Sequence, residues 1–268
     1  MPASGRRRPQ RSWAALGFLA IAVAAVCAVA VSRPWAAPTT PAAVPAEPPG
    51  AAVAPLVLPD SPEVLLFGDS WVYGSAARVP ELGFAYLMDD LLGWRTTVDG
   101  VRGSGYLRPG IDGPPYGERI AALDASASYD LVIVEGTIND RALPADGYRD
   151  AVNAAWDDLA AIYPDASFVI LGPAPQVLPV EKATARIDAD LADLAAQRGW
   201  WYISPLSRDW IVASNYLDVI DTGAGRDHPS TEGHAYLAER LAAAIVALQG
   251  AGGVSADADE HDRAGTPG

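Results

Sequence analysis

Four short stretches hold residue types that could act together on an acyl carbon. FGDSW (67–71) offers the hydroxyl of Ser70, and VRGSGY (101–106) offers the bare backbone of Gly103. EGTIND (135–140) offers the amide of Asn139, and RDHPS (226–230) offers His228, a loop histidine just before the last helical pattern. A serine hydroxyl is a poor nucleophile until a base within hydrogen-bond reach takes its proton. The tetrahedral intermediate then needs preorganised donors aimed at its oxyanion. A serine N–H, a glycine N–H and an asparagine amide could supply three. Taken singly, each stretch has an ordinary explanation: a helix cap at Ser70, a turn at Asn139-Asp140, a tight loop at Gly103 and Gly105. Of the other two histidines, His234 falls in the first turn of the last helix, where an exposed or helix-packing role is expected. His261 lies near the C-terminus.

What would bring these stretches together is the alternation of elements around them. Val64–Phe67, Trp94–Val98, Leu131–Val134, Phe168–Leu171 and Trp200–Ile203 read as strands, mostly continuous apolar runs. Between and after them, apolar residues recur at helical spacing: Phe84, Leu87, Met88, Leu91 and Leu92; Val152, Ala155, Trp156, Leu159 and Ile162; Ile187, Leu191 and Leu194; Leu237, Leu241, Ile245 and Leu248. Apolar strands separated by amphipathic helices predict an α/β fold: a three-layer α/β/α sandwich with a central, mostly parallel five-stranded sheet. Ligands of such sheets bind beyond the carboxyl ends of the strands. Ser70, Gly103 and Asn139 all follow strand ends.

Bulk properties frame this domain. Residues 1–12 carry Arg6, Arg7, Arg8 and Arg11, and residues 13–31 contain no charge. A run of that length could just cross a hydrocarbon core as an anchor, or be cleaved as a signal. The arginines before it would stay in the cytoplasm, so either reading makes the rest extracytoplasmic: a single-pass membrane protein, or a secreted one. Cys27, the only cysteine, lies inside this run and reads as an apolar residue. Residues 32–61 read as a Pro/Ala-rich linker, 62–249 as the folded domain, and 250–268 as a disordered acidic tail. Five of the 19 Lys and Arg residues and none of the 33 acids precede position 34, which leaves a formal −19 beyond it. That surface would repel nucleic acid and anionic headgroups, so membrane contact is expected only through the N-terminal segment. A neutral or cationic substrate is expected to be the easier partner.

On these residues the sequence resembles the SGNH, or GDSL-type, serine esterases and lipases, with the four motifs in the family's order across the whole predicted domain. The resemblance implies a flavodoxin-like three-layer fold and acyl hydrolysis without a cofactor. It makes Ser70 the nucleophile and His228 the general base. Ser70 N–H, Gly103 N–H and the Asn139 amide become the oxyanion hole. Three departures stand out. Trp71 replaces the leucine of GDSL, beyond the reacting atoms. Thr137 stands two residues before Asn139, where the family has glycine, and its side chain could narrow the pocket. Gly225 stands three residues before His228, where the family has its acid. The His228 ring could instead be held by Asp227 across a sharp turn, by Asp221 curling back through DTGAGRDH, or by a backbone carbonyl or water.

Competing chemistries find less footing. The acids Asp89-Asp90, Asp157-Asp158 and Asp188/Asp190/Asp193 lie on helices whose other face is apolar, which reads as solvated surface. No Cys/His metal spacing occurs, and no serine sits in a G-x-S-x-G elbow. Trp71, Tyr73, Tyr106, Tyr116, Trp210 and Tyr216 lie near the predicted site and could stack on a sugar, though packing explains most of them. The sequence therefore predicts an extracytoplasmic carboxylic ester hydrolase acting on a small-molecule or cell-envelope ester through an acyl-serine. An acyltransferase on an envelope glycan and a catalytically silent binding domain of the same fold are the alternatives. Oligomeric state is left open.

Overall fold

The computed structural model describes residues 54–250. The predicted N-terminal segments up to residue 53 and the tail from 251 lie outside them. Among the described residues, no helix is long and apolar enough to cross a membrane.

Strands β1 (Glu63–Gly68), β2 (Arg95–Gly100), β3 (Leu131–Glu135), β4 (Ser167–Leu171) and β5 (Trp201–Ile203) form one sheet in the order β2-β1-β3-β4-β5. Every pairing in it is parallel. The chain crosses over once, after β2, so the mouth of the sheet opens where β1 and β3 lie side by side. That is the topological switch point at which doubly wound sheets place their sites.

Side chains alternate across the three central strands with the period of a strand. Val64, Leu66, Leu131, Ile133, Val169 and Leu171 share one core with the helices α2 (Met88–Leu92) and α7 (Thr231–Gly250). Leu65, Phe67, Val132, Val134, Phe168 and Ile170 share the other with α3 (Tyr116–Ala121), α4 (Tyr148–Ile162) and α5 (Lys182–Arg198). With both faces covered, these strands are apolar throughout, which is why the runs were legible in the sequence.

The differences from expectation are local. The helix predicted from Phe84 forms only at Met88–Leu92, because Pro80 and Gly83 shape a 3-10 turn at Pro80–Leu82 first. The predicted linker is not all tether: Leu56 is buried in the first core, its N–H donates to the Leu248 carbonyl at 3.0 Å, and Trp201 Nε1 donates to the Ala54 carbonyl at 3.0 Å.

His234 proves to be a fully buried packing residue. Its Nδ1 accepts the Phe84 N–H at 3.2 Å, and its Nε2 lies 3.0 Å from the Ser75 carbonyl, so the proton sits on Nε2. It pins two loops to α7. Burial pushes its pKa down to about 4. The folded ring stays neutral while the unfolded one takes a proton below about pH 6.5. Its stabilisation is therefore complete above pH 6.5 and lost as pH falls toward 4. Urea unfolding at pH 7.5 and pH 5 should show the native protein losing about 2 kcal/mol more than His234→Gln, which keeps an N–H donor but cannot titrate. Equal losses in the two proteins would rule this out.

Candidate active site

β1 ends at Gly68, and the four-residue helix α1 (Ser70–Tyr73) starts two residues later. Its cap is Asp69, whose Oδ1 accepts the Trp71 N–H at 2.8 Å. Ser70 is thereby released from capping, and its Oγ meets His228 Nε2 at 2.9 Å.

His228 begins the two-residue strand β7 (His228–Pro229), which pairs antiparallel with β6 (Ile220–Asp221). The ring's Nδ1 lies 2.9 Å from the Gly225 carbonyl and 3.1 Å from the Arg226 carbonyl. Carbonyl oxygens only accept, so Nδ1 carries the proton and Nε2 presents its lone pair to the Ser70 hydroxyl. That is the tautomer a general base needs.

Neither candidate acid is a hydrogen-bond partner of the ring. Asp221 is opposite His228 in the strand pair, but its Oδ1 accepts the Gly223 N–H at 2.8 Å. Asp227 adopts a left-handed backbone (φ 60°), as does Arg226 (φ 51°). The Asp227 charge acts instead on Tyr216, whose hydroxyl is pushed up first by burial and then by that charge. The structure also shows why position 225 holds no acid. A Cβ there would stand 2.6 Å from Asp221 Cβ and 2.8 Å from Ala76 Cβ, atoms tied directly to the backbone. The carbonyl of Gly225 does the orienting where a side chain cannot fit.

Gly103 has φ +75°, a conformation that favours glycine. Among the described residues, neither its N–H nor that of Ser70 donates a hydrogen bond, and both residues line the same cleft. Asn139 lines it too, but both its amide protons are engaged: Nδ2 donates to Asp69 Oδ2 at 2.7 Å and to the Ser104 carbonyl at 2.9 Å. Two unengaged backbone donors therefore belong to residues of the cleft wall. Asn139 becomes a third only by sharing the proton it gives to Ser104. Thr137 does not narrow the pocket. It is fully buried, and its Oγ1 donates to Asp69 Oδ2 at 2.6 Å while accepting the Asn139 N–H at 2.9 Å.

Several residues that hold this arrangement were not singled out from the sequence. Asp140 was read with Asn139 only as part of a motif. Its buried carboxylate accepts the N–H groups of Tyr106, Leu107 and Arg108 at 2.7, 3.2 and 3.1 Å, folding the loop that follows Gly103. Arg119 is buried over the Phe67 ring and donates to the Gly68 and Asp99 carbonyls at 2.8 Å each, tying the ends of β1 and β2. Glu135 is buried beside Asp69, whose N–H donates to its Oε2 at 3.3 Å. Burial first and the Asp69 charge second push the Glu135 carboxyl well up, so it is the protonated member of the pair. The signal was available: an acid closing the apolar run LVIVE has no solvent to face.

The cleft has a volume of about 630 Å³. Its walls carry Ser70, His228, Gly103 and Asn139, with three arginines (Arg102, Arg108, Arg226) and no acid. None of the six aromatic residues suggested for sugar stacking lines it; Trp71, Tyr106, Tyr116 and Trp210 are buried in the cores. Among the described residues, no group of three or more His, Cys, Asp or Glu side chains is placed to hold a metal.

A parallel sheet in this order, with the four motifs at its switch point, defines an SGNH-type carboxylic ester hydrolase. The chain belongs to the GDSL-like lipase/acylhydrolase family, which residues 66–236 match. Solved structures agree on the fold. A putative arylesterase from Agrobacterium tumefaciens is 20% identical with a TM-score of 0.53, covering 69% of this chain and 99% of its own. The aryl esterase of M. smegmatis is 15% identical with a TM-score of 0.53, again covering 69% and 99%. A family two carbohydrate esterase from Clostridium thermocellum is 18% identical with a TM-score of 0.54, covering 71% and 66%. No curated protein matches the sequence.

Two substitutions probe the geometry. Gly225→Asp, which places an acid where the family has one, should lower kcat/KM and cost about 1–3 kcal/mol of stability through overpacking. A rise in kcat/KM would show that the loop can admit the carboxylate. Asp140→Asn turns one acceptor into a donor facing backbone N–H groups, at a cost of about 1–3 kcal/mol. Denaturant unfolding should register that loss, and kcat should fall with it as the loop after Gly103 loosens.

Proposed function

We propose that this protein is an extracytoplasmic serine esterase that cleaves short acyl esters through an acyl-Ser70 intermediate. The observation that carries the reading is the 2.9 Å contact between Ser70 Oγ and His228 Nε2, with the opposite ring nitrogen on two carbonyls.

In the first half-reaction Ser70 Oγ bonds to the substrate carbonyl carbon as its proton passes to His228 Nε2. The carbonyl electron pair moves onto oxygen, which meets the N–H groups of Ser70 and Gly103, joined by Asn139 as its proton is shared. The Gly225 and Arg226 carbonyls face the second N–H of the imidazolium. Collapse expels the alkoxide, which takes the proton from Nε2. Water then repeats the sequence on the acyl-enzyme and releases the acid. A sugar hydroxyl in place of water would make the same intermediate an acyl donor.

The cleft geometry favours small acyl groups. Its wall offers a long acyl chain little to pack against: Pro109, Ile111, Ile138 and Ala224 are its apolar lining, and the rest is polar or glycine. The basic, then uncharged, residues 1–31 favour an envelope location, where O-acylated glycans and lipids are available substrates.

The test is direct. A fluorophosphonate probe should label the native protein but not Ser70→Ala. Hydrolysis of 4-nitrophenyl acetate should fall by roughly 10³-fold or more in Ser70→Ala and in His228→Ala. Acetyl esters should outpace dodecanoyl esters. Absence of both labelling and hydrolysis would leave a silent binding domain.

A further inference from the structure

The cleft contradicts the charge of the molecule that contains it. The chain beyond residue 33 carries a formal −19, yet the 15 residues lining the cleft include three arginines and no Asp or Glu. Arg102 is neutralised locally by Asp112, with Nε and Nη2 at 2.6 and 2.9 Å from its carboxylate oxygens. Arg108 and Arg226 are exposed and form no salt bridge among the described residues. Seven of the 12 described arginines do pair with an acid, so the surface has carboxylates to spare.

Both unpaired arginines are anchored by the site's own scaffold. Arg108 follows the oxyanion glycine, and its backbone N–H is held by Asp140 Oδ1 at 3.1 Å. Arg226 lies two residues before His228, and its carbonyl faces the ring nitrogen at 3.1 Å. Each guanidinium therefore starts from a backbone position set relative to the reacting atoms, with its planar fork of donors unused. The nearby acids do not cancel them: Asp140 is spent on three backbone N–H groups, Asp112 on Arg102, and Asp221 on Gly223, while Asp227, next to Arg226 in the chain, forms no ion pair with it.

We propose that the ester substrate carries an anionic group (a carboxylate, phosphate or sulfate) that Arg108 and Arg226 bind beside the scissile bond. This rests on the esterase reading above and narrows it to acidic esters. It replaces the neutral or cationic partner suggested by net charge, which describes the whole surface and not the cleft.

The experiment compares matched esters. In one arm the charge is on the alcohol part: 4-acetoxybenzoate against 4-acetoxybenzamide. In the other it is on the acyl part: the adipate monoester of 4-nitrophenol against 4-nitrophenyl hexanoate. The expected result is a higher kcat/KM for the anion in one arm, which also says which side the arginines read. In that arm the anionic-to-neutral ratio should fall about tenfold in Arg108→Gln, mainly through KM, and decline with added salt. Arg208→Gln, which removes an equal charge outside the cleft, should keep the native ratio. If neutral esters are hydrolysed but neither arm favours the anion, or Arg108→Gln leaves the ratio unchanged, the proposal fails and the esterase reading stands. If no ester is hydrolysed, both fall.

Discussion

Asp69 is a carboxylate sealed between the ends of two central strands, and its charge must be satisfied by whatever surrounds it. Burial pushes its pKa up, while hydrogen bonds to Thr137 and Trp71 pull it down. The donors it recruits are the Trp71 N–H, Thr137 Oγ1 and Asn139 Nδ2. The first starts the helix that lifts Ser70 into the cleft, and the other two set the loop after β3. One buried charge thus fixes the nucleophile relative to the opposite wall. The raised pKa of Glu135 behind it favours a neutral carboxyl there, because two ionised carboxylates side by side in a buried site would repel.

The histidine is held by a different economy. A triad carboxylate orients the ring and stabilises its cation with a full charge. Here two carbonyl dipoles orient the ring, and the loop that presents them carries two consecutive non-glycine residues in the left-handed region. Such residues cost roughly 1 kcal/mol each. The short β6–β7 pair and the Asp227 N–H on the Asp221 carbonyl, at 2.9 Å, hold that conformation in place. Asp221 therefore acts on the base after all, as a backbone partner of the loop rather than as a charge on the ring.

The sheet was legible because its central strands are buried on both faces and read as short unbroken apolar runs, each bounded by a polar residue or glycine. Ser70 and Asn139 were legible because each follows such a run, Gly103 because it follows a strand end, and His228 because it stands just before the closing helix. What failed was anything decided by loop geometry. Nothing in DTGAGRDH distinguishes a carboxylate reaching the ring from a carbonyl doing so; the clash at Gly225 exists only once Ala76 is folded against it. Thr137 looked like an obstruction because the buried partner that takes its hydroxyl, Asp69, is 68 residues away in the chain. Leu56 looked like linker because one buried leucine among prolines carries no periodicity.

Charge is the property that sequence averages most misrepresent. A net negative surface sets long-range repulsion of polyanions, but binding at a site depends on the few charges within a Debye length of it, about 8–10 Å in physiological salt. Loops that must present backbone N–H groups and carbonyls to a reacting centre have little room for acids that would capture those donors. In this protein the acids near the cleft are consumed by the scaffold, Asp69 by the strand ends and Asp140 by the Gly103 loop. The same demand for satisfied buried carboxylates that builds the site leaves the cleft wall with arginines and no competing anion. A positive cleft inside a negative surface then discriminates by charge at short range only. It admits a small acid ester, while a polyanion is turned away before it arrives.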